Sequence, residues 1–496
     1  MNRIMRKSWT QSLLLCLLVW RANGAEFAFE NLRVLAEKLA AQPFKSGSNE
    51  VIEPLLNLSY EQYQAIQFNH QKALWREEGL PFRLEFFLPG SGHKQVVSLH
   101  EIAAGGVRDI VFDAQLFDLG SNHLKLPANL GYAGFRIVQP GIDVIEVAAF
   151  LDASYFRMIG RGQDYGTSAR GLALNTVADE SEEFPTFRQY WIHRPEKNDR
   201  TITVYALLDG PSVAGAYRFI IQPGTTTVAV VKATLFARRE VKEFGIAPLT
   251  SMFLYGKNGH PPFSDFRSEV HDADGLLMHN GRGEWIWRPL EAGKMTRVDS
   301  FQDESPRGFG LMQRERDFEC YQDLVARYQR RPSVWVQLLG NWGKGVVELV
   351  QLASDQEAFD NVVAFWRPAA PPQAGHALDV NYELHWTTND PSGLGLGHVR
   401  ATRIGRMTGK SPHLRFVVEF AGAAVESLPK TEPLTANIVY GAGAERVAHD
   451  LFKNEFNQTW RLVIEIVEPR QALSLRAGLE RQGQPITETW NYTWQP

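Results

Sequence analysis

From Phe82 to the carboxy terminus the chain keeps one texture: short runs rich in β-branched and aromatic residues, broken by Gly, Pro, Asn and Asp. The runs FRLEFFL, VVSLHEI, RDIVF, IDVIEVAAFL, RTITVYALL, AYRFIIQP and TTTVAVVKATLF recur at spacings of roughly 8 to 15 residues, the pattern of an all-β sandwich. SVWVQLL, GVVELVQL and NVVAFWRP continue the series. Between them, Gly308 to Arg331 is charged and does not alternate, so it reads as a loop with one helical turn around Phe318 to Tyr328. At 496 residues, 44% apolar and 22% charged, the chain can bury a large core, and disorder, a fibrous repeat and a multi-span membrane protein are excluded.

The amino-terminal part differs. Arg3, Arg6 and Lys7 precede the apolar run SLLLCLLVW and the small residues Ala22 and Gly24, the layout of a secretory signal that is too short to span a bilayer. Residues 1–24 are therefore expected to be removed, by cleavage after Gly24 or Ala25, and the protein is expected in the periplasm. No Arg-Arg pair precedes the run, which favours general secretion over the twin-arginine route. Export leaves Cys320 as the only cysteine, so no intramolecular disulfide can form. Asn31 to Ala41 has helical spacing, and Ser59 with Gln62 makes a capping box that opens a second short helix. The formal charge of −4 argues against a nucleic-acid partner.

The Pro/Ala stretch Arg367 to Ala377 is a linker candidate, but VNYELHWTT directly after it can still close the first sheet. The boundary is better placed in the turn-rich NDPSGLGLGH, which gives a first sandwich over 25–395 and a second, of immunoglobulin-like strand count, over 396–496.

Familiar catalytic motifs fail one by one. Gly405 to Ser411 is one residue short of a phosphate loop and leads into Pro412 rather than a helix. GTSARG (Gly166 to Gly171) carries one residue too many for a nucleophile elbow. The 13 histidines lack ligand spacing, so no metal and no cofactor is expected. GNWGKG (Gly340 to Gly345) reads as a hairpin between two strands.

Two carboxylate clusters remain. Asp265, Glu269, Asp272 and Asp274 lie near His271, Trp285 and Trp287, and Asp355, Glu357 and Asp360 lie just before a strand. Glycoside hydrolysis uses such groups: one acid protonates the glycosidic oxygen, a second group activates water, and flat aromatic faces carry the sugar rings. Taken alone, acidic turns are more often solvated caps, and tryptophans more often core.

EVHDADGLLMHNGRGEWIWRPL, ESPRGFGLMQRERDFECYQDLVARYQRRPSVWV and DNVVAFWRP resemble the periplasmic glucan biosynthesis family, and the likeness runs from the signal to ITETWNYTW near the end. The resemblance implies a large mutarotase-like β-sandwich followed by a small immunoglobulin-like one, acting on a β-1,2-glucan backbone as an inverting endo-glucanase does. It puts the general acid on Asp360 and the general base on Asp272. Glu357, three residues before the acid, is a neighbouring carboxylate able to raise the acid's pKa and is expected among the substrate-binding residues. Tyr328 and Arg331 match substrate-contacting positions on a charged surface loop. They would reach a neighbouring cleft if the chain pairs, so a homodimer is among the expected partners, with β-1,2-glucan and the inner-membrane synthase or branching machinery. Among Trp285, Trp287, Trp335 and Trp342 at least one sugar platform is expected. One departure bears on chemistry: Ala358 stands where the hydrolytic pattern has Thr, which removes a hydroxyl beside the acid. The alternative is a non-catalytic glucan-binding factor that guides the nascent chain or recruits branching enzymes.

Overall fold

The structure is a computed structural model that describes residues 27–46, 51–141, 145–177, 181–259, 261, 264–393, 395–407 and 412–496. The expected signal segment, residues 1–24, and its cleavage site lie outside the described residues. The expected fold class holds: the chain is all-β, and among the described residues the helices are short and set against the sheets. The helix Phe29–Ala40 lays Leu32 and Ala36 against Trp191, Tyr205 and Phe236. The short helix Tyr60–Gln64 opens on the expected box, in which Gln62 N–H donates to Ser59 Oγ at 3.2 Å and Ser59 N–H to Gln62 Oε1 at 2.9 Å.

Two large sheets face each other across the main core. One, of ten strands, runs from Arg83–Phe87 through Tyr155–Met158, Ser168–Arg170, Phe244–Ser251, Val362–Pro368 and Lys344–Gln351 to Arg297–Glu304. The other, of fifteen, has at its centre the antiparallel ladder Ile202–Asp209, Val213–Gln222, Thr227–Ala237, Ala377–Thr387 and Ser333–Leu339. VNYELHWTT thus closes the first sandwich from inside its sheet. Alternate residues of these strands, among them Phe150, Phe156, Phe219, Tyr217, Trp366 and Trp386, fill the space between the sheets.

Three readings change. Gly308–Met312 is a fully buried strand between Gly275–His279 and Ser333–Leu339, not the start of a loop. Two glycines in five residues hide it, and they are needed: a Cβ on Gly308 would lie 2.2 Å from the Trp335 indole. The helical turn shrinks to Phe318–Tyr321. GNWGKG is not a hairpin, because Ser333–Leu339 and Lys344–Gln351 belong to different sheets. It is a corner between the two layers, turned at Gly340 (φ 82°) and Gly343 (φ 70°).

The carboxy-terminal strands fall on both sides of a second core. His398–Met407, His413–Ala421, Trp460–Val467 and Arg446–Lys453 make a four-stranded sheet. Leu434–Tyr440, Leu473–Arg481 and Thr489–Trp494 instead extend the fifteen-stranded sheet, joined where Trp285–Pro289 runs parallel to Thr489–Trp494. Arg314 ties the two parts: it forks onto Glu488 at 2.6 and 2.9 Å, reaches Asp390 at 3.0 Å, and lies 3.8 Å over the Trp287 ring. Among the described residues no helix is long and apolar enough to cross a membrane.

Candidate functional site

Asp360 lies at the end of the loop that follows Lys344–Gln351, one residue short of the strand Val362–Pro368, and that residue, Asn361, fixes it in space. The buried Asn361 amide accepts from Phe253 N–H at 2.9 Å and donates to Phe253 C=O at 2.9 Å and Leu352 C=O at 3.2 Å. Phe253 pairs with His271 in the small hairpin Phe253–Tyr255/Val270–His271, and Asp272 follows, its N–H on Met252 C=O at 2.8 Å. One side-chain amide therefore sets Asp360 beside the segment that carries Asp272.

The two carboxylates sit in different surroundings. Asp360 is partly exposed, with Arg157 Nη2 at 3.7 Å; Arg157 is in turn anchored by its Nε on Ser168 Oγ at 2.6 Å. Asp272 is buried and hydrogen-bonded by Arg331. Burial pushes the Asp272 carboxyl above the ordinary aspartate range; Arg331 and Arg157 pull it down and the charge of Asp360 pushes it up again.

Arg331 continues a chain of contacts. It stacks 4.3 Å from the Tyr328 ring centre, and the Tyr328 hydroxyl donates to Glu357. Arg267 grips the same carboxylate with two hydrogen bonds of 2.9 and 2.8 Å, and also holds Asp265 at 2.8 Å and Asp323 at 3.0 Å. Arg267 holds Glu357 below the usual carboxylate range, and burial drives the Tyr328 hydroxyl well up. Two expectations are corrected. Tyr328 is a buried ring, not part of a surface turn, and Glu357 is an ionised pin holding three loops together rather than a carboxylate left to press on Asp360. Arg331 is only partly buried. Gly166, in the motif discarded as an elbow, forms its wall: a Cβ there would lie 2.8 Å from Arg331 Cβ. Asp164, two residues earlier, pairs with Arg327 at 3.0 Å and Arg330 at 3.1 Å.

Behind Asp272, His271 is buried between Gln313 at 2.8 Å and Glu269 at 3.0 Å. The donor atoms of Glu269, Glu315 and Cys320 lie within 4.8 Å of one another. Lys257 supplies the cation there, 3.5 Å from Glu269 and in contact with Glu315. A small cleft, open to solvent, lies on this side, between Lys257, His271, Asp274 and Trp287 and, from the carboxy-terminal part, Arg400 and Thr402.

The tryptophans are elsewhere. Trp287 and Trp335, 4% and 3% exposed, belong to the second core. Trp285 stacks on His279 at 4.1 Å, and Trp342 packs nearly at right angles to Tyr382 with its indole N–H on Asn381 C=O at 3.3 Å. None of these partners is Asp272, Asp360, Tyr328, Arg331 or Glu357. The parallel join to Thr489–Trp494 covers this face, and nothing in the local sequence announces it. Sequence reading also passed over Arg267, Arg157 and the amide of Asn361. Only Asn361 had a signal, its place directly after the acid.

Fold and site together define an all-β protein of two packed β units with a carboxylate pair in the first, each acid steadied by an arginine. Residues 27–494 match the family model described as "Periplasmic glucan biosynthesis protein, MdoG", and the chain belongs to that family. It is 43% identical over 487 residues to glucans biosynthesis protein G of Ralstonia nicotianae, a match covering 95% of this chain and 96% of the relative. It is 40% identical over 504 residues to the probable glucans biosynthesis protein D of Shewanella oneidensis, covering 98% and 93%. It is also 43% identical over 511 residues to glucans biosynthesis protein D 1 of Ralstonia nicotianae, covering 96% and 93%. Overall identity does not separate the relatives named G from those named D.

Proposed function

We propose that the protein binds β-1,2-linked glucan in the cleft around Asp272 and Asp360 and cleaves or trims its backbone with inversion. The single observation that supports this most is the network that joins two loops far apart in sequence: Asp360 beside Asp272 through Asn361, and Asp272 to Glu357 through Arg331 and Tyr328. In this reading Asp360, open to the cleft, gives its proton to the departing glycosidic oxygen. Water attacks the anomeric carbon from the opposite face and passes its proton to Asp272. Arg331 fixes the orientation of the Asp272 carboxylate, and the upward push of burial makes that carboxylate a stronger base than a solvated aspartate. The chain would work in the periplasm beside the membrane-bound synthase or branching machinery, as a monomer or a homodimer.

A second reading is favoured by Ala358. Its side chain is exposed next to the acid and brings no hydroxyl, so a chain of proton carriers through that position would lack a member. The protein would then hold the nascent glucan without cutting it. Incubating the purified protein with linear β-1,2-glucan and sizing the product separates the two. Shortening that disappears in Asp272→Asn supports the enzyme; glucan bound but never shortened supports the binding factor.

A further inference from the structure

We propose that Phe266 and Phe359 form the aromatic platform on which glucose rings stack beside Asp360, an inference that rests on the glucan-cleft reading above. Both rings face solvent, Phe266 at 78% and Phe359 at 48% exposure. A single exposed ring is ordinary on a protein surface. These two, however, stand on loops locked by one guanidinium. Phe266 immediately precedes Arg267, whose guanidinium carbon lies 5.8 Å from the Phe266 ring centre. Phe359 lies between Glu357, which Arg267 grips, and Asp360 itself.

The loops are stiff where the rings sit. Arg267 N–H closes a turn on Asp265 at 3.0 Å, Phe359 N–H closes one on Gln356 C=O at 3.3 Å, and Asn361 anchors the far end. Rings held this way lose little freedom when a ligand arrives. Around them are planar, multiply hydrogen-bonding groups: Asp360, Arg157, Asp323 and Glu357. Flat apolar faces interleaved with planar polar groups suit a pyranose, whose C–H face stacks while its hydroxyls take bidentate bonds. Trp287 and Trp335 cannot serve in the same way, because both are buried in the second core, and Trp285 has one face stacked on His279. Leu324 and Val325, 80% and 91% exposed on the turn that Asp323 caps, bound the rim but offer no flat face.

The test is calorimetric titration of linear β-1,2-glucan into the full-length exported protein and into Phe266→Ala, Phe359→Ala, Phe266→Tyr and Phe359→Tyr. Each Ala variant should bind about tenfold more weakly, as loss of one stacked ring predicts, and each Tyr variant within about twofold of the parent. Melting temperatures should stay at the parent value, because the rings are exposed. Parent-like affinity in both Ala variants would overturn the platform and leave the glucan-cleft reading standing. So would sedimentation showing that the Ala variants break up an oligomer, which would make the patch a protein contact. A parent that binds no β-1,2-glucan would overturn the platform and the underlying reading together.

Discussion

Replacing Asn361 by Leu should destabilise the protein strongly and displace Asp360, although Asn361 touches no substrate atom in the proposed chemistry. Leucine keeps the volume of the amide but none of its polar atoms. Three backbone groups lose their partner at once: Phe253 N–H, Phe253 C=O and Leu352 C=O, with bonds of 2.9, 2.9 and 3.2 Å. The site is buried, so water cannot replace them without opening the strand ends. A buried group left unpaired costs about 1 to 3 kcal/mol, which for three groups gives a loss of about 3 to 9 kcal/mol. Urea unfolding followed by tryptophan fluorescence measures it, with Gln356→Ala, on the exposed part of the same loop, as a control expected within about 0.5 kcal/mol of the parent. Glucan turnover by Asn361→Leu should fall further than stability alone explains, because the loop end that aims Asp360 is no longer tied to the Asp272 hairpin. An Asn361→Leu protein within about 1 kcal/mol of the parent would refute the argument that this amide holds the pair together.

Three more outcomes are expected. Because the Asp272 carboxyl is raised in the folded state, its ionisation works against the fold: its contribution is fullest below the unfolded aspartate value of about 3.9 and declines as pH rises through the raised folded value. The melting temperature of Asp272→Asn relative to the parent should thus improve from pH 4 upward, and the opposite slope would show that the Arg331 pair outweighs burial. Tyr328→Phe, which removes a hydroxyl donated to an ionised, half-buried carboxylate, should cost about 1 to 2 kcal/mol by urea unfolding; no change would mean that Glu357 is satisfied by Arg267 alone. Mass spectrometry of the periplasmic protein should find an amino terminus at Ala25 or Glu26, and an intact Met1 in the membrane fraction would contradict export by a cleaved signal.

The strands were legible where side chains alternate or run apolar, as in Thr227–Ala237 and Trp460–Val467, because burial on one or both faces is written directly into residue order. Gly308–Met312 was not legible: its glycines make room for the Trp335 ring, a reason that exists only once the neighbouring strand is in place. The corner at Gly340–Gly345 looks like a hairpin because a turn signal does not say which sheet the next strand joins. The same limit hid the sheet that runs unbroken into the carboxy-terminal strands and buries Trp287. At the site, the identities of Asp272 and Asp360 came from motif resemblance rather than from any local pattern. Arg267 could not have been singled out, since its importance is that Asp265, Asp323 and Glu357, from three separate loops, converge on it. Tyr328 misled for a related reason: a tyrosine among arginines looks exposed until Arg331 and Glu357 are seen to enclose it.

The central claim is that Asp360 and Asp272 cut a β-glucosidic bond by single displacement, and proton NMR of the first product formed from linear β-1,2-glucan tests it most directly. The account predicts that new reducing ends appear first as the α-anomer and then mutarotate, with no product from Asp360→Asn although that variant still binds the glucan. A β-anomer formed first, or equal cleavage by parent and Asp360→Asn, would contradict it.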